Sequence, residues 1–157
     1  MNDNAVEVED LVKKYNNFEI NALDHVSISI PYGSIFGLLG PNGAGKSTFI
    51  NILAGLTLKT SGIVRVCGIS IDENPKTLRG AIGVVPQEIN MDPFFSPIQI
   101  LNIQAGFYGI KKKDMQNYEI LKQLNLHDKA NAYSRSLSGG MKRRLMVAKA
   151  LVHNPLV

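Results

Sequence analysis

Gly40-Pro41-Asn42-Gly43-Ala44-Gly45-Lys46-Ser47-Thr48 follows the pattern G-x-x-x-x-G-K-[ST] of a loop that cradles phosphates. Glycines at 40, 43 and 45 open backbone conformations closed to residues with a Cβ and allow close approach to phosphate oxygens. A helix opening near Lys46 adds unsatisfied N–H groups and the positive end of its dipole. Lys46 is suited to set a point charge on β- and γ-phosphates, and Ser47 to offer a hydroxyl to Mg²⁺. The flanks agree. The run Ser34-Ile35-Phe36-Gly37-Leu38-Leu39 is apolar on both faces, which predicts a buried parallel strand. Beyond the loop, Phe49, Ile50, Ile52, Leu53 and Leu56 recur at helical spacing. Strand, glycine loop and helix in that order are the context the motif requires.

The chain has 157 residues, enough for one domain with a sizeable core. Hydrophobic residues make up 45% and charged residues 19%, a globular balance. The net charge of +4 fits an anionic ligand or a membrane surface but is too mild to indicate nucleic acid. Cys67 is the single cysteine, so an intrachain disulfide is excluded and a reducing compartment is expected. The opening residues Met1-Asn2-Asp3-Asn4 show no signal peptide, and no apolar run approaches a membrane span. The expectation is a cytoplasmic protein.

Before the loop, residues 5–12 and 22–30 alternate apolar and polar side chains, predicting an antiparallel strand group, with a turn over 13–17. Tyr15 is there a candidate platform for a flat base, and equally a packing aromatic. After it come a turn at 59–62, a short strand over 63–66, a helix from Asn74-Pro75 to Gly80 and a second buried strand over 81–85. Gln87 follows that strand at the sheet edge where ligands bind, within reach of Mg²⁺ or a water; read alone, it is as readily a loop residue. Helical patterns then take over. Ser96-Pro97-Ile98-Gln99 is a capping box with proline at the first helical position, Gly109 ends that helix, and Asp114 is expected to cap the next. Residues 1–91 read as an α/β nucleotide-binding core, 92–152 as a helical subdomain, and 153–157 as the start of a further strand. Leu137-Ser138-Gly139-Gly140 opens a helix whose Met141, Leu145, Ala148 and Val152 share a face. In isolation it is a common loop; otherwise it is a second anion-binding helix start.

Together, the phosphate loop, the Val-Val-Pro-Gln-Glu stretch at 84–88 and Leu-Ser-Gly-Gly-Met-Lys-Arg-Arg-Leu at 137–145 resemble the ATP-binding-cassette ATPase domain. The resemblance runs from Val8 to Val157 and is strongest to the ATP-binding subunits of type-2 exporters of drugs, polysaccharides or lipids. It implies a P-loop NTPase core, α/β with N-terminal antiparallel strands in a mixed sheet, plus an α-helical subdomain. By it, ATP and Mg²⁺ are the ligands and Gly40, Pro41, Asn42, Gly43, Ala44, Gly45, Lys46, Ser47 and Thr48 form Walker A. Tyr15 stacks on adenine, Lys46 and Gln87 are catalytic, Ser47 and Gln87 serve the metal, and Ser138, Gly139 and Gly140 form the signature. It also implies a second cassette closing head to tail, a membrane permease partner on the cytoplasmic face, and no nucleic acid. Met141 stands where many members carry glutamine.

In that family an apolar strand with an Mg²⁺-organising aspartate and a catalytic glutamate should follow Asn154-Pro155-Leu156-Val157, and later a histidine loop. His25, His127 and His153 all precede that place. The expectation is an N-terminal fragment truncated before Walker B, lacking the end of the core and unable to hydrolyse ATP alone. A soluble non-transport cassette, a phosphotransferase or a binding-only P-loop module are the alternative readings. Asp92-Pro93-Phe94-Phe95 is a candidate docking patch for the permease, or core.

Overall fold

The computed structural model describes residues 3–16 and 19–157; Asn17, in the turn expected over 13–17, lies outside them. The chain divides into two compact units, one up to Ile82 together with Leu156–Val157, the other Gly83–Pro155.

In the first unit, β1 (Asn4–Lys13), β2 (Leu23–Pro31), β3 (Ser61–Val66) and β4 (Ile69–Ser70) form an antiparallel sheet ordered β2-β1-β3-β4. β1 is central, and its alternation buries Val6 and Val8. Continued unbroken, that period would bury Asp10. A bulge prevents it: the register shifts between Val8 and Leu11, Asp10 takes φ 51°, and Leu11 goes fully inside instead. The displaced Asp10 carboxylate meets His25 Nδ1 on β2 at 2.6 Å and raises the imidazole pKa, by hydrogen bond first and charge second. Cys67-Gly68 makes the two-residue turn into β4, a strand too short to read beforehand.

Two further helices complete the unit, α1 (Lys46–Leu53) and α2 (Pro75–Ala81), the second starting at proline as expected. Phe49, Ile52, Leu78 and Ala81 are their buried side chains. The buried strands expected over 34–39 and 81–85 are not formed. Residues 34–41 run as irregular backbone, and Ile35 and Leu39 are fully exposed. Apolar composition predicts a buried strand only where neighbours bond both edges and layers cover both faces. Among the described residues, no strand pairs with either segment.

The second unit is helical: α3 (Pro97–Phe107), α4 (Asn117–Gln123) and α5 (Gly139–Leu151), joined by 3₁₀ turns at Lys112–Asp114, His127–Lys129 and Ser134–Ser136. Its core takes Leu101 and Ala105 from α3, Leu121 from α4, and Leu145, Ala148 and Val152 from α5 and its end. The box that starts α3 is complete: Gln99 N–H donates to Ser96 Oγ at 3.4 Å and Ser96 N–H to Gln99 Oε1 at 2.9 Å. Asp114 does not cap the next helix. It ends a 3₁₀ turn, and α4 starts behind Gln116 with no side-chain cap, because Met115 is extended and separates the two.

Candidate functional site

The phosphate loop leads into α1 through Gly45, the residue before the first helical turn, at φ 84°. A Cβ there would lie 2.3 Å from the Ala22 carbonyl oxygen and 2.8 Å from Leu23 Cδ2, so only glycine lets the helix start against β2. Within the loop, the Lys46 ammonium donates to the carbonyls of Gly40 at 2.7 Å and Pro41 at 2.6 Å. The loop thus curls around its own lysine, while Pro41, Asn42, Gly43, Ala44 and Ser47 stay exposed. α1 has no acidic residue in its first turn and no side-chain cap. Its first N–H groups therefore keep their capacity for an anion. A flexible glycine loop, a central cation and open helix N–H groups fit a polyphosphate. Among the described residues, no three His, Cys, Asp or Glu side chains gather to hold a metal. A Mg²⁺ ion here would use a hydroxyl such as Ser47 together with phosphate oxygens.

Tyr15 lies beside this loop. Its hydroxyl is 3.5 Å from Thr48 Oγ1, and the Lys13 ammonium stands 4.6 Å from its ring centroid. Thr60 secures the segment from below, its Oγ1 accepting from Lys14 N–H at 2.9 Å and its N–H donating to the Val12 carbonyl at 2.9 Å. Lys13 and Thr60 were not singled out by the sequence. Thr60 is 46 positions from Lys14 and offers no local pattern, whereas Lys13 sits two residues before Tyr15.

In the helical unit, Ser138 caps α5, its Oγ accepting from Met141 N–H at 3.3 Å. Gly139 and Gly140 are exposed behind it, and again no acidic residue occupies the first turn. The segment before Gln87 is tied to α5. A Cβ at Gly83 would come 2.6 Å from the Ala150 carbonyl oxygen, and Arg143 donates to the Pro86 carbonyl at 3.3 Å. Gln87 itself is exposed. Arg143 is a link the sequence left inside a basic run. Phe94 is also exposed, with the Arg135 guanidinium 5.9 Å from its ring centroid.

The family model described as ABC transporter matches residues 23–157. The Nod factor export ATP-binding protein I of Cupriavidus metallidurans is 42% identical over 135 residues, covering 85% of this chain and 45% of that protein. Its namesake from Paraburkholderia xenovorans is 38% identical, covering 99% and 51%. The chain therefore spans about half the length of the curated relatives it matches. Among solved structures, cbiO1 of Clostridium perfringens, part of the ABC transporter complex cbiONQ, superposes with a TM-score of 0.82 at 28% identity, over 98% of this chain and 63% of that one. A dimeric bacterial ABC transporter cassette gives 0.79 at 30% identity, over 96% and 70%. These likenesses carry the P-loop α/β core with its antiparallel N-terminal sheet and helical subdomain. Among the described residues, no helix is long and apolar enough to cross a membrane.

Proposed function

The chain belongs to the ABC transporter family, and on that premise we propose that it is the nucleotide-binding front of an export ATPase. It binds Mg-ATP and works in a head-to-tail pair of cassettes beneath a membrane permease, on the cytoplasmic face. The observation that carries the reading is the exposed loop wound around the Lys46 ammonium in front of an uncapped helix. On nucleotide arrival Lys46 exchanges two neutral carbonyls for β- and γ-phosphate oxygens, and Gly43 to Thr48 supply backbone N–H groups. Mg²⁺, when bound, offsets charge between the β- and γ-phosphates. Ser47 would give it a hydroxyl and Gln87 a carboxamide oxygen, while Tyr15 takes the adenine ring on its face. Ser138, Gly139 and Gly140 would cover the γ-phosphate held by the opposite cassette, so that ATP favours the closed pair and hydrolysis releases it. Phe94 and Phe95 would meet the permease, which selects the cargo.

The test is calorimetric titration of the chain with Mg-ATP beside Lys46→Ala. Binding that disappears in the variant supports the reading; equal binding in both overturns it. Phe94→Asp should leave that binding intact and abolish co-purification of a membrane partner.

A further inference from the structure

Lys13 belongs to none of the motifs, yet it is built into the edge of the site. Its ammonium takes part in no ion pair among the described residues; its partner is the Tyr15 ring at 4.6 Å. The backbone on both sides is fixed. The Lys13 carbonyl accepts from Ala22 N–H at 2.7 Å, and the neighbouring Val12 carbonyl and Lys14 N–H are both bonded to Thr60. The Tyr15 hydroxyl reaches Thr48 Oγ1 of α1 at 3.5 Å. The ring is thus held at its rim by α1 and over one face by a cation, and 37% of the residue remains exposed.

We propose that Lys13 is a positioning residue for the nucleotide base. It backs the Tyr15 ring and leaves the opposite face turned to adenine. The proposal rests on the reading of Tyr15 as base platform. Two physical effects follow from the contact. The cation is attracted to the electron-rich face of the ring and restricts its rotation, so less side-chain freedom is lost when a base stacks. It also draws π density toward itself, leaving the far face better matched to an electron-rich purine. Neither effect acts on the triphosphate, which separates Lys13 from Lys46.

The experiment titrates the full chain with Mg-ATP and, separately, with Mg-tripolyphosphate, which has the phosphates but no base. Lys13→Met should weaken Mg-ATP about threefold, as an exposed cation–π contact allows, and leave tripolyphosphate unchanged. Lys13→Arg should restore Mg-ATP binding. In a Tyr15→Leu background, Lys13→Met should have no further effect. Without any nucleotide, Lys13→Met should also shift the aromatic NMR resonances of Tyr15. The proposal is overturned if those resonances do not move, if Mg-ATP binding is unchanged or tightened, or if tripolyphosphate weakens equally. Failure of the underlying readings shows elsewhere. Tyr15→Leu without effect on Mg-ATP removes the base platform, and Lys46→Ala without effect on tripolyphosphate removes the phosphate loop.

Discussion

Gly45→Ala and Gly43→Ala form a matched pair that tests why the phosphate loop can start a helix where it does. Both glycines have nearly the same positive φ, 84° and 85°. Their surroundings differ. A Cβ at position 43 meets nothing within 4 Å, whereas at position 45 it lies 2.3 Å from a backbone oxygen of Ala22. Left-handed backbone costs an L-residue about 1–2 kcal/mol, and both variants carry that. Only Gly45→Ala adds overpacking, about 1–3 kcal/mol. The carbonyl it strikes cannot rotate away as a side chain would, because its peptide plane is shared with Leu23, which pairs with Lys13 in the sheet. Gly43→Ala should therefore destabilise by about 1–2 kcal/mol and Gly45→Ala by about 2–5 kcal/mol. Against a usual total of about 5–15 kcal/mol the second is a large fraction. Urea denaturation followed by circular dichroism measures the gap. With a slope of about 1–3 kcal/mol per molar, the two midpoints should differ by about 1 M. Coincident midpoints would refute the close approach of α1 to β2.

His25 should titrate with a midpoint above 6.5 by NMR, and Asp10→Asn should return it toward 6.5. Because the folded pKa is the raised one, the pair favours folding below pH 6.5 and loses that contribution as pH rises through the raised value. A wild-type midpoint at 6.5 would remove the pair from the argument. Ser138→Ala removes the cap of α5 and should lower stability by about 1 kcal/mol, read as a drop in the helical melting temperature; no change would mean the Met141 N–H finds another partner. Leu101→Ala, in the fully buried core of the helical unit, should cost about 2–5 kcal/mol in chemical denaturation, and a loss below 1 kcal/mol would contradict its packing.

Features written in adjacent residues could be read from the sequence. The capping box at Ser96 and Gln99, the proline start of α2, the helix start at Ser138-Gly139-Gly140 and the alternation of β1 and β2 each depend on side chains within four positions of one another. What could not be read depends on partners distant in the chain. The run 34–39 has the composition of a core strand, but pairing is a property of two segments, and none bonds to it among the described residues. The bulge at Asp10 is hinted at by the apolar residues falling at 6, 8 and then 11, but its place is fixed only by the registers against β2 and β3. At the site, the loop and the Ser-Gly-Gly turn are local and were visible. The Thr60 staple, the Lys13 contact and the Arg143 bond to Pro86 join elements by tertiary folding.

The helix starts differ in what satisfies their first N–H groups. At α3, Ser96 and Gln99 exchange hydrogen bonds, and Pro97 at the first position has no N–H to satisfy, so little is left for a ligand. At α1, Gly45 brings no side chain, the first turn has no carboxylate, and the orphan donors face an exposed loop. α5 is intermediate: Ser138 binds one N–H, while Gly139 and Gly140 leave theirs without a side-chain acceptor. A helix end needed only for stability gains about 1 kcal/mol from a good cap. α2 and α4 forgo it too, but α2 begins with a proline that has no N–H and α4 carries Glu119 in its first turn. Among the described helices α1 alone has no side-chain cap, no proline and no carboxylate at its start, the pattern expected where the missing acceptor is a phosphate oxygen.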